Sequence, residues 1–203
     1  MTVRVKICGI TRPADAEAAI ACGADFIGLN FYPPSPRAVS LDTARRIRDA
    51  IGPRCAVVGV FVNADRAHIA ALREALRLDY LQFHGDEDAA ALRGWPAPTI
   101  RALRLAPTAP LTALPADGAD YLLLDAAVAG LYGGTGRTLA LDQLAGRDLG
   151  RVFIAGGLTP DNVAAAARLK PFAVDTASGV ESAPGIKDHA KVRSFIANAK
   201  SAG

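Results

Sequence analysis

A chain of 203 residues with 51% hydrophobic and 21% charged side chains has the balance of one compact domain, not of a disordered segment. Its formal net charge is only +3, no run of like charge stands out and aromatics are 6%, so neither a nucleic-acid-binding face nor a membrane-surface patch is marked. Three cysteines, Cys8, Cys22 and Cys55, form an odd set without metal-ligand spacing. That speaks against a disulfide framework and for a reducing, cytoplasmic compartment. The start, through Lys6 and Cys8, alternates charged with apolar residues and lacks the apolar core of a signal peptide. No stretch is long enough to cross a bilayer; even Tyr121-Leu122-Leu123-Leu124 meets Asp125 at once.

Short β-type runs recur along the chain, beginning near Val3, Asp25, Cys55, Asp79, Thr99, Asp120, Arg151 and Phe172. Helical patterns lie between them at Pro13–Ala21, Leu41–Ile51, Ala64–Leu76, Pro160–Leu169 and Asp188–Ala199. In the third, Ile69, Leu72 and Leu76 recur at three and four residues and make one apolar stripe. Thr159-Pro160-Asp161-Asn162 reads as a cap with proline at the first helical position. The segments after Thr99 and Asp120 are weaker as helices, one being interrupted by Pro107, Pro110 and Pro115. Trp95 reads as packing under the connection before strand five, away from the C-terminal ends of the strands.

Alternating strands and helices predict a parallel sheet, because parallel strands need crossovers. Eight units of roughly 25 residues suit a compact single-domain (β/α)8 TIM barrel over 1–203. An open doubly wound sheet would carry a G-x-G-x-x-G turn after strand one, and Cys8-Gly9-Ile10-Thr11 lacks it.

In a barrel the unusual polar residues collect at the C-terminal ends of the strands, where such folds build their sites. Cys8 closes strand one, Arg37 follows strand two, His84 closes strand four and Asp125 closes strand six. Cys8 is either a small buried filler or, by alternation with Lys6, an inward-facing thiol. Lys6 then needs a buried partner, for which Asp175 is suited, and a cation close by favours a thiolate. Asp125 either caps a turn or is an acid aimed at the pocket, where apolar neighbours favour a protonated carboxyl. Arg37 is either a surface arginine or, stiffened by Pro33, Pro34 and Pro36, a fixed fork for a carboxylate. Gly156-Gly157 and Ser178-Gly179, on neighbouring strands, form a phosphate-type pair of turns. Cys22 and Cys55 read as packing residues.

Together these pieces are distinctive. The runs Val5-Lys6-Ile7-Cys8-Gly9-Ile10-Thr11, Phe31-Tyr32-Pro33-Pro34-Ser35-Pro36-Arg37 and Leu81-Gln82-Phe83-His84-Gly85-Asp86-Glu87 come in order. Asp125, Gly133-Gly134-Thr135-Gly136, Ala155-Gly156-Gly157-Leu158 and Asp175-Thr176-Ala177-Ser178-Gly179-Val180-Glu181 follow. Over essentially its whole length the chain resembles the phosphoribosylanthranilate isomerase family of tryptophan biosynthesis. The resemblance implies a cofactor-free Amadori rearrangement of a phosphosugar substrate, with Asp125 as general acid and Cys8 as general base. It further implies that Arg37 orients the anthranilate carboxylate and that Gly156, Gly157, Ser178 and Gly179 hold the phosphate, with His84 and Asp175 beside the substrate. The glycines from Gly133 to Gly136 are expected to form a lid. Ala177 stands where a second serine is common, so one phosphate hydroxyl is expected to be missing. A monomer or a homodimer is compatible with this reading, with no metal, nucleic-acid or membrane partner.

Three other readings fit less well. The analogous isomerase of histidine biosynthesis resembles a barrel with an aspartate ending strand one, where this chain has Cys8. His68, His84 and His189 are too few and wrongly placed for a metal-dependent epimerase. A non-catalytic anion-binding barrel would need neither the acid nor the base.

Overall fold

The computed structural model describes residues 2–105, 114, 118–126 and 141–203. Eight parallel strands close into a barrel: β1 (Arg4–Ile7), β2 (Phe26–Asn30), β3 (Ala56–Phe61), β4 (Tyr80–Phe83), β5 (Thr99–Leu105), β6 (Tyr121–Ala126), β7 (Val152–Ile154) and β8 (Ala173–Thr176). Each strand pairs with the next, and β8 returns to β1 with Lys6 opposite Asp175. The barrel predicted from the alternation is therefore the fold.

Two periodicities build it. Outward residues such as Ile7, Ile27, Leu29, Val57, Leu81 and Val174 are buried against the helices in one large cluster. Inward residues, among them Phe26, Val58, Ile100, Leu123 and Phe153, form a second cluster inside the barrel. Its N-terminal end is plugged by the rings of Phe26, Tyr80, Tyr121, Phe153 and Phe172, with Arg4 seated 4.4 Å over Phe172. A device repeats at that end. Asp25, Asp79 and Asp120, just ahead of the even strands, accept the backbone N–H of Val5, Val57 and Thr99 at 2.8 Å each. With that end filled and pinned, a site can open only at the other.

Helices α1 (Pro13–Ala21) and α2 (Leu41–Ile51) match the sequence pattern, and Ser40 caps α2 by accepting from the Thr43 N–H. Helix α3 (Arg66–Leu76) starts two residues later than expected, because the Asp65 carboxylate accepts the Ala67 N–H and ends the loop there. Its Ile69, Leu72 and Leu76 stripe is buried. Helix α4 is only Val163–Ala167: Asn162 accepts from the Thr159 N–H and donates to the Gly157 carbonyl, which keeps residues 159–162 in a turn. This corrects the expected start at Pro160. Helix α5 (His189–Ala202) is capped by Asp188 and ends three residues later than expected. A two-stranded hairpin, β9 (Glu181–Ala183) with β10 (Ile186–Lys187), precedes it and was not anticipated.

Trp95 lies in the connection before β5 and outside the cavity described below. It packs on Phe83, the last residue of β4, with Arg66 stacked 4.1 Å over its ring and its N–H donated to the Ala91 carbonyl. The expected Gly133–Gly136 lid and the prolines at 107, 110 and 115 lie outside the described residues.

Candidate active site

The C-terminal ends of the strands surround one cavity. Cys8, Arg37, His84, Asp125 and Asp175 line it from five different strand ends or loops, and Gly156, Gly157, Ser178 and Gly179 line it from the last two. Every site residue expected from the sequence therefore faces the same space.

Cys8 follows β1 and is fixed by donating its N–H to the Thr176 carbonyl at 2.8 Å. Its sulfur sits over Gly28 of β2, where a Cβ would come within 2.7 Å of it, so the glycine makes the room. Cys8 is half-buried, whereas Cys55 is buried with its thiol pushed up to about 12, by burial first and then by the charges of Asp25 and Asp79. Cys22 packs against the barrel–helix core. The sorting of the three cysteines follows their positions.

Beneath Cys8, Lys6 is fully buried and meets Asp175 at 2.9 Å. Burial alone would depress its pKa; the Asp175 carboxylate, then Cys8, outweigh burial and push it up to about 12. The ammonium is charged and donates to Asp175, and Cys8 lies close enough to add to the upward shift.

Across the cavity, Asp125 on β6 is 5% exposed, and its Oδ2 lies 3.4 Å from His84 Nε2. His84 Nδ1 is 3.0 Å from the amide nitrogen of Gln82, two residues back on the same inward face of β4. With the amide so oriented, Gln82 donates to Nδ1 and the ring proton sits on Nε2, toward Asp125. Gln82 Oε1 and His84 Nε2 are buried without a hydrogen-bond partner among the described residues. Both belong to residues that line the cavity, where a ligand would satisfy them. Sequence reading gave Gln82 no role, although its alternation with His84 marks it as inward-facing.

Arg37 is held more elaborately than proline stiffening implies. Asn30, the inward residue ending β2, accepts from the Tyr32 N–H and donates to Ser35 Oγ, which accepts from the Arg37 N–H. The aliphatic stem of Arg37 lies along Gly9, and its guanidinium forks onto Glu181, Nε to Oε1 at 2.8 Å and Nη2 to Oε2 at 2.7 Å. Its fork therefore carries an internal carboxylate already, and Nη1 has no partner among the described residues. Glu181 was visible only as the end of a motif.

The two phosphate-type turns are fastened together. Thr176 Oγ1 donates to the Leu158 carbonyl at 2.7 Å, and a Cβ on Gly179 would collide with that same carbonyl. Gly156 and Gly157 have φ of 79° and 64°, the left-handed region that favours glycine. Both turns line the cavity, and backbone N–H groups beside a hydroxyl are chemistry suited to an anion.

Residues 5–198 match the model of the N-(5'phosphoribosyl)anthranilate (PRA) isomerase family. An N-(5'-phosphoribosyl)anthranilate isomerase of Pseudomonas paraeruginosa is 50% identical over 206 residues, covering 99% of this chain and 97% of that one. The crystal structure of the phosphoribosyl anthranilate isomerase of Thermus thermophilus superposes with a TM-score of 0.84 at 39% identity, over 98% of this chain and 99% of that one. A phosphoribosyl anthranilate isomerase solved with reduced 1-(o-carboxyphenylamino)-1-deoxyribulose 5-phosphate superposes at 0.78, with 33% identity and the same coverage.

Proposed function

Since the chain belongs to the N-(5'-phosphoribosyl)anthranilate isomerase family, it is an aldose–ketose isomerase of tryptophan biosynthesis, and we propose that Cys8 and Asp125 carry its two proton transfers. It converts N-(5'-phosphoribosyl)anthranilate to 1-(2-carboxyphenylamino)-1-deoxyribulose 5-phosphate. The observation that supports the assignment is that a thiol above a buried ammonium and a buried carboxyl line one cavity together with the two phosphate-type turns.

In this reading Asp125 gives its proton to the furanose ring oxygen as the C1–O bond breaks. The anthranilate nitrogen lone pair forms the C1=N bond of the resulting Schiff base. Cys8, as thiolate, removes the C2 proton, and the C2–H electrons form C1=C2 while those of C1=N return to nitrogen. The enolamine loses its C2 hydroxyl proton and gains one at C1, leaving the ketone. Lys6, buried beneath Cys8, supplies the positive charge a thiolate base needs. His84, held by Gln82, orients the Asp125 carboxyl after it has given up its proton. Arg37 meets the anthranilate carboxylate through the edge that Glu181 leaves open. The nest of Gly156, Gly157, Ser178 and Gly179 binds the phosphate, and that remote binding energy positions the sugar between acid and base. A thiol used in this way needs a reducing compartment, which supports a cytoplasmic location.

Fluorescence-monitored turnover of phosphoribosylanthranilate tests the assignment. The parent should turn over while Cys8→Ser and Asp125→Asn, both folded, should each be severely impaired; activity near the parent's in either would remove that residue from its role.

A further inference from the structure

Behind Arg37, outside the cavity wall, two cations share one carboxylate. Glu181 takes the Arg37 fork, and its Oε1 also accepts from the Lys187 ammonium at 2.9 Å and from the Gly185 N–H at 3.2 Å. The Arg37, Glu181 and Lys187 side chains are 13%, 6% and 0% exposed. Burial would raise the Glu181 pKa, but Arg37 and Lys187 hold it below its ordinary value, so the carboxylate is ionised. Burial lowers that of Lys187, and Glu181 is the largest influence opposing the change. The hairpin creates the cluster: Glu181 and Lys187 are register partners in β9 and β10, which puts their side chains on one face.

The charge balance is the informative part. An Arg37–Glu181 pair by itself would be a closed, neutral unit with little attraction for a substrate carboxylate. Lys187 brings a second positive charge to the same carboxylate, and its remaining recorded bond, at 2.9 Å, is to the neutral carbonyl of Ala177. The cluster therefore retains one uncompensated positive charge, and Arg37 is its member that lines the cavity. Asp15, the next carboxylate in this region, accepts only the Lys187 backbone N–H and spends its oxygens on Arg12 and His189.

We propose that Lys187 is a positioning residue for the substrate carboxylate: by sharing Glu181 it leaves Arg37 rigidly oriented yet still net positive toward the cavity. This rests on the reading of Arg37 given above. Lys187 touches no substrate atom and acts through Glu181 and Arg37.

The test compares competitive inhibition by anthranilate with inhibition by its uncharged methyl ester, in the parent and in Lys187→Gln, which keeps a donor toward Ala177 and Glu181 without the charge. Anthranilate should bind roughly tenfold more weakly to the variant, and its affinity should lose much of its salt dependence. Methyl anthranilate should be unaffected. KM for the substrate should rise with kcat changed by less than about threefold, the signature of lost uniform binding. Lys187→Arg should restore anthranilate binding; Lys187→Met serves in place of the glutamine variant if that one does not fold. Unchanged anthranilate affinity, or equal weakening of acid and ester, overturns the proposal. Arg37→Gln separates the two levels. If it weakens anthranilate and Lys187→Gln does not, the proposal alone fails; if neither does, the carboxylate role of Arg37 fails with it.

Discussion

The Lys6 ammonium and the Asp175 carboxylate meet at 2.9 Å across 169 residues of sequence, and the lysine is shut off from solvent. The pair closes the barrel between its first and last strands directly beneath Cys8, so stability and the reactive thiol share one group.

Removing one partner leaves the other charge buried and alone. Lys6→Met should therefore cost about 3–5 kcal/mol, read as a fall in Tm near neutral pH. Because the folded pKa of Lys6 is raised from 10.5 to about 12, its contribution is complete below 10.5 and is lost as pH rises toward 12. The gap in Tm between parent and variant should narrow over that window. A gap that is small at neutral pH, or constant into strong alkali, would contradict the ion pair.

Asp15 should give the opposite pH dependence. Burial would raise its pKa, but Arg12, His189 and the Lys187 N–H together hold it below 3.8. A depressed carboxylate stabilises above the unfolded value and ceases to do so as pH falls through the folded one. Asp15→Asn should cost about 1–2 kcal/mol at neutral pH, the exposed Arg12 and His189 ends being screened. Urea melts of parent and variant should converge below the ordinary carboxylate range.

The thiols should separate by site. Iodoacetamide should modify Cys8 and abolish turnover, and prior binding of the product should protect it. Cys55, with its thiol pushed up to about 12, should remain unmodified in the native protein. Cys8→Ser should lose at least roughly 10²-fold in kcat, the scale of a general base. Peptide mapping that finds Cys22 or Cys55 labelled in step with inactivation would refute this.

Asp125→Asn should bind product as the parent does and lose roughly 10²–10⁴-fold in kcat, since an amide has no proton to give the ring oxygen. The change is nearly isosteric, so Tm should shift little. Weakened product binding with kcat preserved would make Asp125 a binding group and move the search for the acid to His84.

At the phosphate nest, Gly157→Ala places a side chain on a backbone at φ 64°, a strain of order 1–3 kcal/mol. Ser178→Ala removes a donor and leaves the backbone alone. Both should weaken inorganic phosphate as a competitive inhibitor, and only the first should lower Tm. Unaltered phosphate inhibition in both would place the anion elsewhere on the rim.

What was legible in the sequence was what near neighbours decide. Strand alternation sent Lys6 with Cys8 inward, the repeat of strands and helices implied a parallel barrel, and the barrel put Cys8 and Asp125 at one mouth. The tertiary structure decided which distant groups meet. Nothing local could pair Arg37 with Glu181, 144 residues away, because that contact depends on a hairpin whose strands are three and two residues long. Local propensity also misplaced the start of α4, where the side chain of Asn162 satisfies the backbone of the preceding turn instead. Propensity and period are set within a few residues, whereas a buried charge takes whatever partner barrel closure brings within reach.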